Sequence, residues 1–361
     1  MKKQHFLWVT FLYAIAVLYL AASAPISPHE AIAFYTSSDI VSSLMHLGDT
    51  LFGNLFGLRI FFVFFGFLSI LFFYEFSRRY FDKREDAYLA TFIFMLLPGI
   101  VTGSTLANIA IVVLPLVLLF VLLYEKNHFV LLPFIMLILF FIHEASIIFF
   151  IALLLYGVLH KDRKLSIFAA AFLIAFVYLA KGIEISGRPS GHFAEIFGLY
   201  AAVFSPFIFF YFFYVMYRIF LREEKSLLWY ISFSALLFSL LLSIRQRIGI
   251  TDFTPYVLIS IPLMLHLFHN SLRVRLPQFR KKYILGFRVI MATLIISSVS
   301  ILLYQVMFAI TKDTKRFYSN SVYAPYILAE ALKADMLDCY DGIDEKERFQ
   351  LQYYNISTCS K

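Results

Sequence analysis

The chain has 361 residues, of which 61% are hydrophobic and only 15% charged, with 44 Phe and 23 Tyr, and its mean hydropathy is +0.81. Soluble domains run closer to roughly 45–50% apolar and about 25% charged, so this composition excludes a large soluble domain and predicts an all-α polytopic membrane protein. The formal net charge of +8 is expected to record orientation in the membrane, with no nucleic acid as partner, because such chains collect Lys and Arg in the loops of one side.

The first apolar run, 6–24, ends in "AASA", which mimics a signal-peptidase site. It is longer than an h-region of roughly 7–15 residues, and Pro25 would follow the cut. A retained anchor is expected. A spanning helix needs about 20 mostly apolar residues, fewer where neighbours shield it, and that rule gives about eleven helices. They are 6–24, 56–76, 87–101, 106–124, 129–142, 146–159, 165–180, 199–220, 227–244, 253–268 and 284–310. The fifth and sixth are short and read as a tight pair or one re-entrant hairpin.

The loops "MKK", "SRRYFDKRED", "YEKN", "HKDRK", "LREEK" and "SLRVRLPQFRKKY" are short and basic. They alternate with loops starting at Pro25, Thr102, His143, Lys181, Arg245 and Thr311. The basic set is expected on the cytoplasmic side. That puts the N-terminus inside and the C-terminus outside, in a multi-pass protein of the bacterial inner membrane. Residues 1–310 then form the membrane domain, with an extracytoplasmic loop at 25–55, and 311–361 form an extracytoplasmic segment. The two cysteines, Cys339 and Cys359, both fall in that segment, where disulfides persist, so a bridge is expected. A segment of roughly 50 residues builds little core alone and would need the bridge and docking. Its "NIS" at Asn355 is formally a glycosylation acceptor, but a common tripeptide.

Ionisable groups at the membrane are functional candidates because burying them is costly. The first outer loop holds His29, Glu30, Asp39, His46 and Asp49. Glu30 follows Ser27 and Pro28, so it either favours a helix start or acts as a general base toward an acceptor hydroxyl or amine. Arg59, Lys181, Arg188, Arg245 and Arg247 come from separate outer segments. Each either snorkels to the headgroups or helps hold a phosphate, for which the Arg fork is suited. Arg59 fits snorkelling least, since it lies inside an apolar run. His143 and Glu144, in "FIHEAS", are a buried structural pair or a substrate contact. No HExxH, P-loop, CxxC or GxSxG occurs, so metalloprotease, ATPase and hydrolase readings lack a motif. No metal-specific spacing is present; a divalent ion at Glu30 or Asp39 stays open.

An outer loop carrying "PHEAIAFY" leads into "GLRIFFVFFGFLSILFFYEFSRRYF", then "DAYLATFIFMLLPGIVTGST", with a late "RQRIGITDFTPYVLISIP". In this order the chain resembles GT-C membrane glycosyltransferases, especially the bacterial relatives of protein mannosyltransferases and aminoarabinose transferases. The resemblance covers the first 125 residues or so well and the region after Ser243 loosely. It implies a GT-C-like bundle that moves a sugar from a polyprenyl-phosphate donor to a glycan, lipid or protein acceptor on the outer face. Glu30 matches the acidic motif, and Arg59 the basic residue opening the second helix. His29 stands where an acidic neighbour is common, and Asn108 where many relatives carry Asp, so a second carboxylate would come from Asp39 or Asp49.

A weaker resemblance links "LFFIHEASIIFFIALLLYG" to Wzy-like polysaccharide polymerases. A non-enzymatic transporter of lipids or glycolipids is a further alternative, but it would place its charges at mid-membrane. In the leading reading Glu30 deprotonates the acceptor, with Asp39 as its partner acid. His29, Arg59, His143, Lys181, Arg188, Arg245 and Arg247 bind the substrate, the arginines offsetting the leaving phosphate.

Overall fold

The structure, a computed structural model, describes residues 3–179, 191–311, 320–340 and 345–359. Nineteen helices form among them. Two long helices, α1 (Lys3–Ser23) and α4 (Leu55–Tyr80), flank the short α2 (Pro28–Thr36) and α3 (Ile40–Phe52). Then come α5 (Arg84–Leu96), α6 (Pro98–Thr105), α7 (Ile109–Glu125), α8 (Leu132–Ile142), α9 (Ser146–Leu159) and α10 (Arg163–Tyr178). They are followed by α11 (Phe193–Phe204), α12 (Pro206–Arg222), α13 (Leu227–Arg245), α14 (Ile250–Leu258), α15 (Ile261–Val274), α16 (Pro277–Leu302) and α17 (Tyr304–Thr311). The C-terminal segment adds α18 (Asn320–Ala334) and α19 (Glu345–Tyr353).

Four helices, α1, α4, α13 and α16, are each long and apolar enough to cross a membrane. The pairs α5–α6, α11–α12 and α14–α15 meet the same criterion together, bent by 60°, 107° and 45°, which gives up to seven spans. The shorter apolar helices α7, α8 and α9 would bring this to ten if each also crossed, against the about eleven read from the sequence. The run 199–220, expected as one helix, is two. Pro206 disfavours the α conformation at the residue before it, and Ser205 takes φ 75° and ψ 136° there. The break between α5 and α6 has the same origin at Pro98: Leu97 sits at φ −59°, ψ 130°. Ser298 donates its hydroxyl to the Leu96 carbonyl beside that break.

The chain divides into two compact units that interleave along the sequence. The larger comprises Met1–Phe11, Phe65–Val101 and Ile109–Ser298. In it α9 packs on α10 and α13, and α14 on α7 and α13. Its interior is aromatic, with Phe73 stacked 3.9 Å from Phe94 and Phe149 stacked 5.8 Å from Tyr256.

The smaller unit comprises Leu12–Phe64, Thr102–Asn108 and Val299–Lys361. The segment 25–55 between α1 and α4 folds as α2 and α3. Gly48 and Gly57 let α3 and the start of α4 touch, since a Cβ on Gly48 would lie 2.1 Å from the Gly57 carbonyl oxygen. The C-terminal segment builds a small core of Ala329, Leu332, Leu351 and Ile356, and Cys339 and Cys359 are joined in a disulfide. That segment docks onto α2 through α19, with Phe34 edge-on to Tyr353 and Tyr35 stacked on Phe349.

Candidate functional site

The smaller unit carries a buried charge pair at the turn from α1 into α2. Ser27, Pro28, His29 and Glu30 make an S-x-x-E helix start. Glu30 N donates to Ser27 Oγ (3.2 Å), and Ser27 N donates to Glu30 Oε2 (3.0 Å). The same carboxylate meets Arg59 from the first turns of α4. Arg59 Nε donates to Oε1 at 2.8 Å and Nη2 to Oε2 at 2.7 Å. Ala107 N adds a fourth donor, to Oε1 at 2.9 Å. The remaining guanidinium hydrogens go to main-chain carbonyls: Nη1 to Ala21 (3.2 Å) and Ala24 (2.7 Å), Nη2 to Pro25 (2.9 Å). The side chains of Arg59 and Glu30 are 0% and 1% exposed.

Each group is thus saturated. Five guanidinium N–H bonds have five acceptors, and the carboxylate accepts four bonds. Burial pushes the Glu30 carboxyl up, but the Arg59 charge and hydrogen bonds, with the Ala107 and Ser27 N–H groups, outweigh it. The carboxyl lies below the usual carboxylate range. A general base needs a free lone pair and a pKa near the working pH; Glu30 has neither. Arg59 has no N–H left for a phosphate. In this structure Glu30 and Arg59 hold each other and the backbone of residues 21–30. Glu30 also offers a metal no open oxygen, so it does not fit the divalent ion left open by the sequence. Among the described residues no three His, Cys, Asp or Glu side chains converge.

The C-terminal segment completes the same turn. Ile26 N donates to Tyr354 Oη (3.1 Å), and Gln350 Nε2 donates to the Ile26 carbonyl (2.9 Å) and the Ser321 carbonyl (3.1 Å). With Ala24 N on Leu20 O and Ala31 N on Ser27 O, every backbone polar group of residues 24–27 has a partner, as a buried segment requires. Gln350 and Tyr354 lie more than 320 residues along the chain from Ile26. No periodicity or motif connects them. The S-x-x-E pattern, by contrast, was a readable signal for the capping role of Glu30.

The other polar groups of this segment are less deeply buried. His29 is exposed. Asp39 is exposed and caps α3, its Oδ1 accepting from Ser42 N at 2.9 Å. His46 Nε2 lies 2.9 Å from Phe34 O, and Asn108 Nδ2 donates to Leu106 O.

The larger unit holds a second polar group of residues. His143 interrupts α8 and α9 in an extended conformation, φ −153°. Ser146 fixes the break by donating its hydroxyl to Leu139 O (2.9 Å), and Tyr256 Oη lies 3.1 Å from Ser146 Oγ. Tyr256 belongs to α14, whose first turn carries Asp252. His143 Nε2 lies 3.3 Å from Asp252 Oδ1, without a well-aligned hydrogen bond. Nearby in sequence to Asp252, Arg247 pairs with Glu195 Oε1 at 2.7 Å while staying 74% exposed. His192 Nδ1 is 3.0 Å from the other Glu195 oxygen. Arg245 ends α13 and is exposed. Lys181 and Arg188 lie outside the described residues. The pairing of His143 with Asp252, on separate helices, was not legible in the sequence.

Compared with solved structures, the chain is similar over 98% of its length to ArnT from Cupriavidus metallidurans in the apo state, with a TM-score of 0.60 at 13% identity and 84% of that chain covered. Over 99% of its length it is similar to ArnT from the same organism bound to undecaprenyl phosphate, with a TM-score of 0.58 at 10% identity and 77% of that chain covered. At such identities the likeness is one of fold, and it bears out the GT-C-like, all-α membrane architecture expected from the sequence. No family model matches the sequence, and no curated protein is significantly similar to it.

Proposed function

We propose that this chain, which has the GT-C fold, is a membrane glycosyltransferase that moves a sugar from a polyprenyl-phosphate donor to an acceptor on the outer face of a bacterial inner membrane. The observation that carries this is the likeness, along almost the whole chain, to a structure with undecaprenyl phosphate bound. Fold alone is weak warrant for chemistry, so the residue roles come from the site itself.

In this reading the Glu30–Arg59 pair is the scaffold and not the reacting pair. Proton transfer falls to the open groups of the same segment, His29 and Asp39. The acceptor oxygen or nitrogen attacks the anomeric carbon as its proton passes to that base. The bond from the anomeric carbon to the phosphate oxygen breaks, and the lipid phosphate leaves with the electron pair. Cations that offset the charge growing on it supply the electrostatic stabilisation on which such a step depends most.

The test is glycan profiling of cells in which only the variant protein is present. Asp39→Asn or His29→Ala is expected to cost about 10²–10⁴-fold in rate, as for a general base, with normal membrane yield. Full activity in both, with loss at His143→Gln or Arg245→Gln, moves the assignment to the polymerase-like reading. A cytoplasm-dependent reporter fused after Lys361 is expected to stay silent; a strong signal would overturn the outer placement of every group named here.

A further inference from the structure

The larger unit contains a narrow cavity of about 170 Å³ that the proposed chemistry does not use. Ile208, Ile261, Met264, Phe268, Phe287 and Met291 wall it with hydrocarbon, and Lys282 stands at its rim. These residues belong to α12, α15 and α16. The ring of Phe268 stacks on Tyr283 at 5.1 Å and on Phe287 at 4.4 Å, which sets the depth of one wall.

The chain leading into α16 beside the cavity is cationic. Residues 273–282 read RVRLPQFRKK, with five basic groups and no acidic one. Arg280 donates to the carbonyls of Arg275 (2.9 Å) and Arg273 (3.3 Å), which closes the turn into α16. Arg275 lays its guanidinium 4.3 Å above the Tyr283 ring. A Cβ on Gly286, another residue of the cavity, would meet nothing within 4 Å. The slot is therefore open beside the rim.

A soluble anion would use the rim and leave the hydrocarbon wall unsatisfied. A neutral apolar molecule would use the wall and leave the cations without a counter-charge. An amphiphile with a phosphate head and a hydrocarbon tail uses both, and basic pockets between membrane helices are suited to acidic headgroups. We propose that this cavity binds an anionic phospholipid, with one acyl chain in the slot and its phosphate at Lys282 and Arg275. The site stands whether or not the chain transfers sugar.

Native mass spectrometry of the purified protein, titrated with phosphatidylglycerol or with phosphatidylcholine of the same acyl chains, tests it. The wild type is expected to retain one phosphatidylglycerol at about tenfold lower concentration than phosphatidylcholine, in keeping with two basic contacts. Lys282→Gln, at an exposed position, is expected to erase most of that preference. Gly286→Phe is expected to displace the tightly held lipid of either kind, and Gly286→Leu to do so in part, with unchanged unfolding temperature in lipid-free detergent. Equal retention of the two lipids by the wild type would overturn the proposal. So would wild-type phosphatidylglycerol retention in folded Gly286→Phe and Gly286→Leu, because the lipid would then sit on the outer surface and not in the slot.

Discussion

The Glu30–Arg59 turn and the His143–Asp252 break are both polar interruptions in apolar chain, yet they are built to opposite ends. At the first, the guanidinium, the carboxylate and the backbone of residues 24–27 all have partners, both side chains are buried, and three other segments converge on one backbone turn. At the second, the two side chains stand 3.3 Å apart and part-exposed, and the neighbouring Arg247 is mostly in solvent. A saturated network fixes structure because any movement leaves a buried group unpaired. An unsaturated one retains capacity for a ligand. Charge near a membrane is therefore not enough to mark a reacting group; what matters is whether its hydrogen-bonding capacity is already spent.

The strongest way to break this distinction is to open the buried pair. Arg59→Met is expected to cost about 3–5 kcal/mol, since it strands a buried carboxylate; the folded yield in detergent reads it. Glu30→Leu combined with Arg59→Met is not expected to recover, because the Ala21, Ala24 and Pro25 carbonyls still lose their donors. A double variant as stable as wild type would show the pair to be dispensable. Acid tests the same pair. The Glu30 carboxyl is held below its ordinary value, so its contribution is complete above the ordinary carboxylate range and is lost as pH falls through the folded-state value. Stability should drop on that acid limb, and Glu30→Gln should flatten it in a thermal-unfolding series against pH.

The disulfide is the next largest. Its two cysteines are 20 residues apart, a closure worth about 3 kcal/mol in the chain-entropy account. Cys359→Ser is expected to loosen the segment that supplies Gln350 and Tyr354, seen as faster proteolysis there. Free thiols that alkylate in native membranes would remove the bridge from the account. Gln350→Ala should cost about 1–3 kcal/mol by stranding the buried Ile26 carbonyl, visible as a lower unfolding temperature. Smallest of all, Arg247→Gln should change stability by no more than about 0.5 kcal/mol while lowering glycan transfer. A stability loss equal to that of Gln350→Ala would make the polar group of the larger unit a scaffold too.

The sequence by itself determined the membrane class and the sites of most helices. Apolar run length and proline act within a few residues of themselves, so local reading reaches them. It also contained the helix start at Ser27–Glu30, where the S-x-x-E spacing and Pro28 fix the cap locally. The GT-C resemblance rested on the order of such local features, and the fold agrees with it. Tertiary structure alone decided what the charges do. Glu30 and Arg59 carry the same sequence signature as a catalytic acid and a phosphate ligand. Only the approach of α4, the Ala107 N–H, Gln350 and Tyr354 shows that the capacity of the turn is used up. Those partners come from distant parts of the chain, and hydrogen-bond saturation is a property of three-dimensional neighbours that no residue type or spacing encodes.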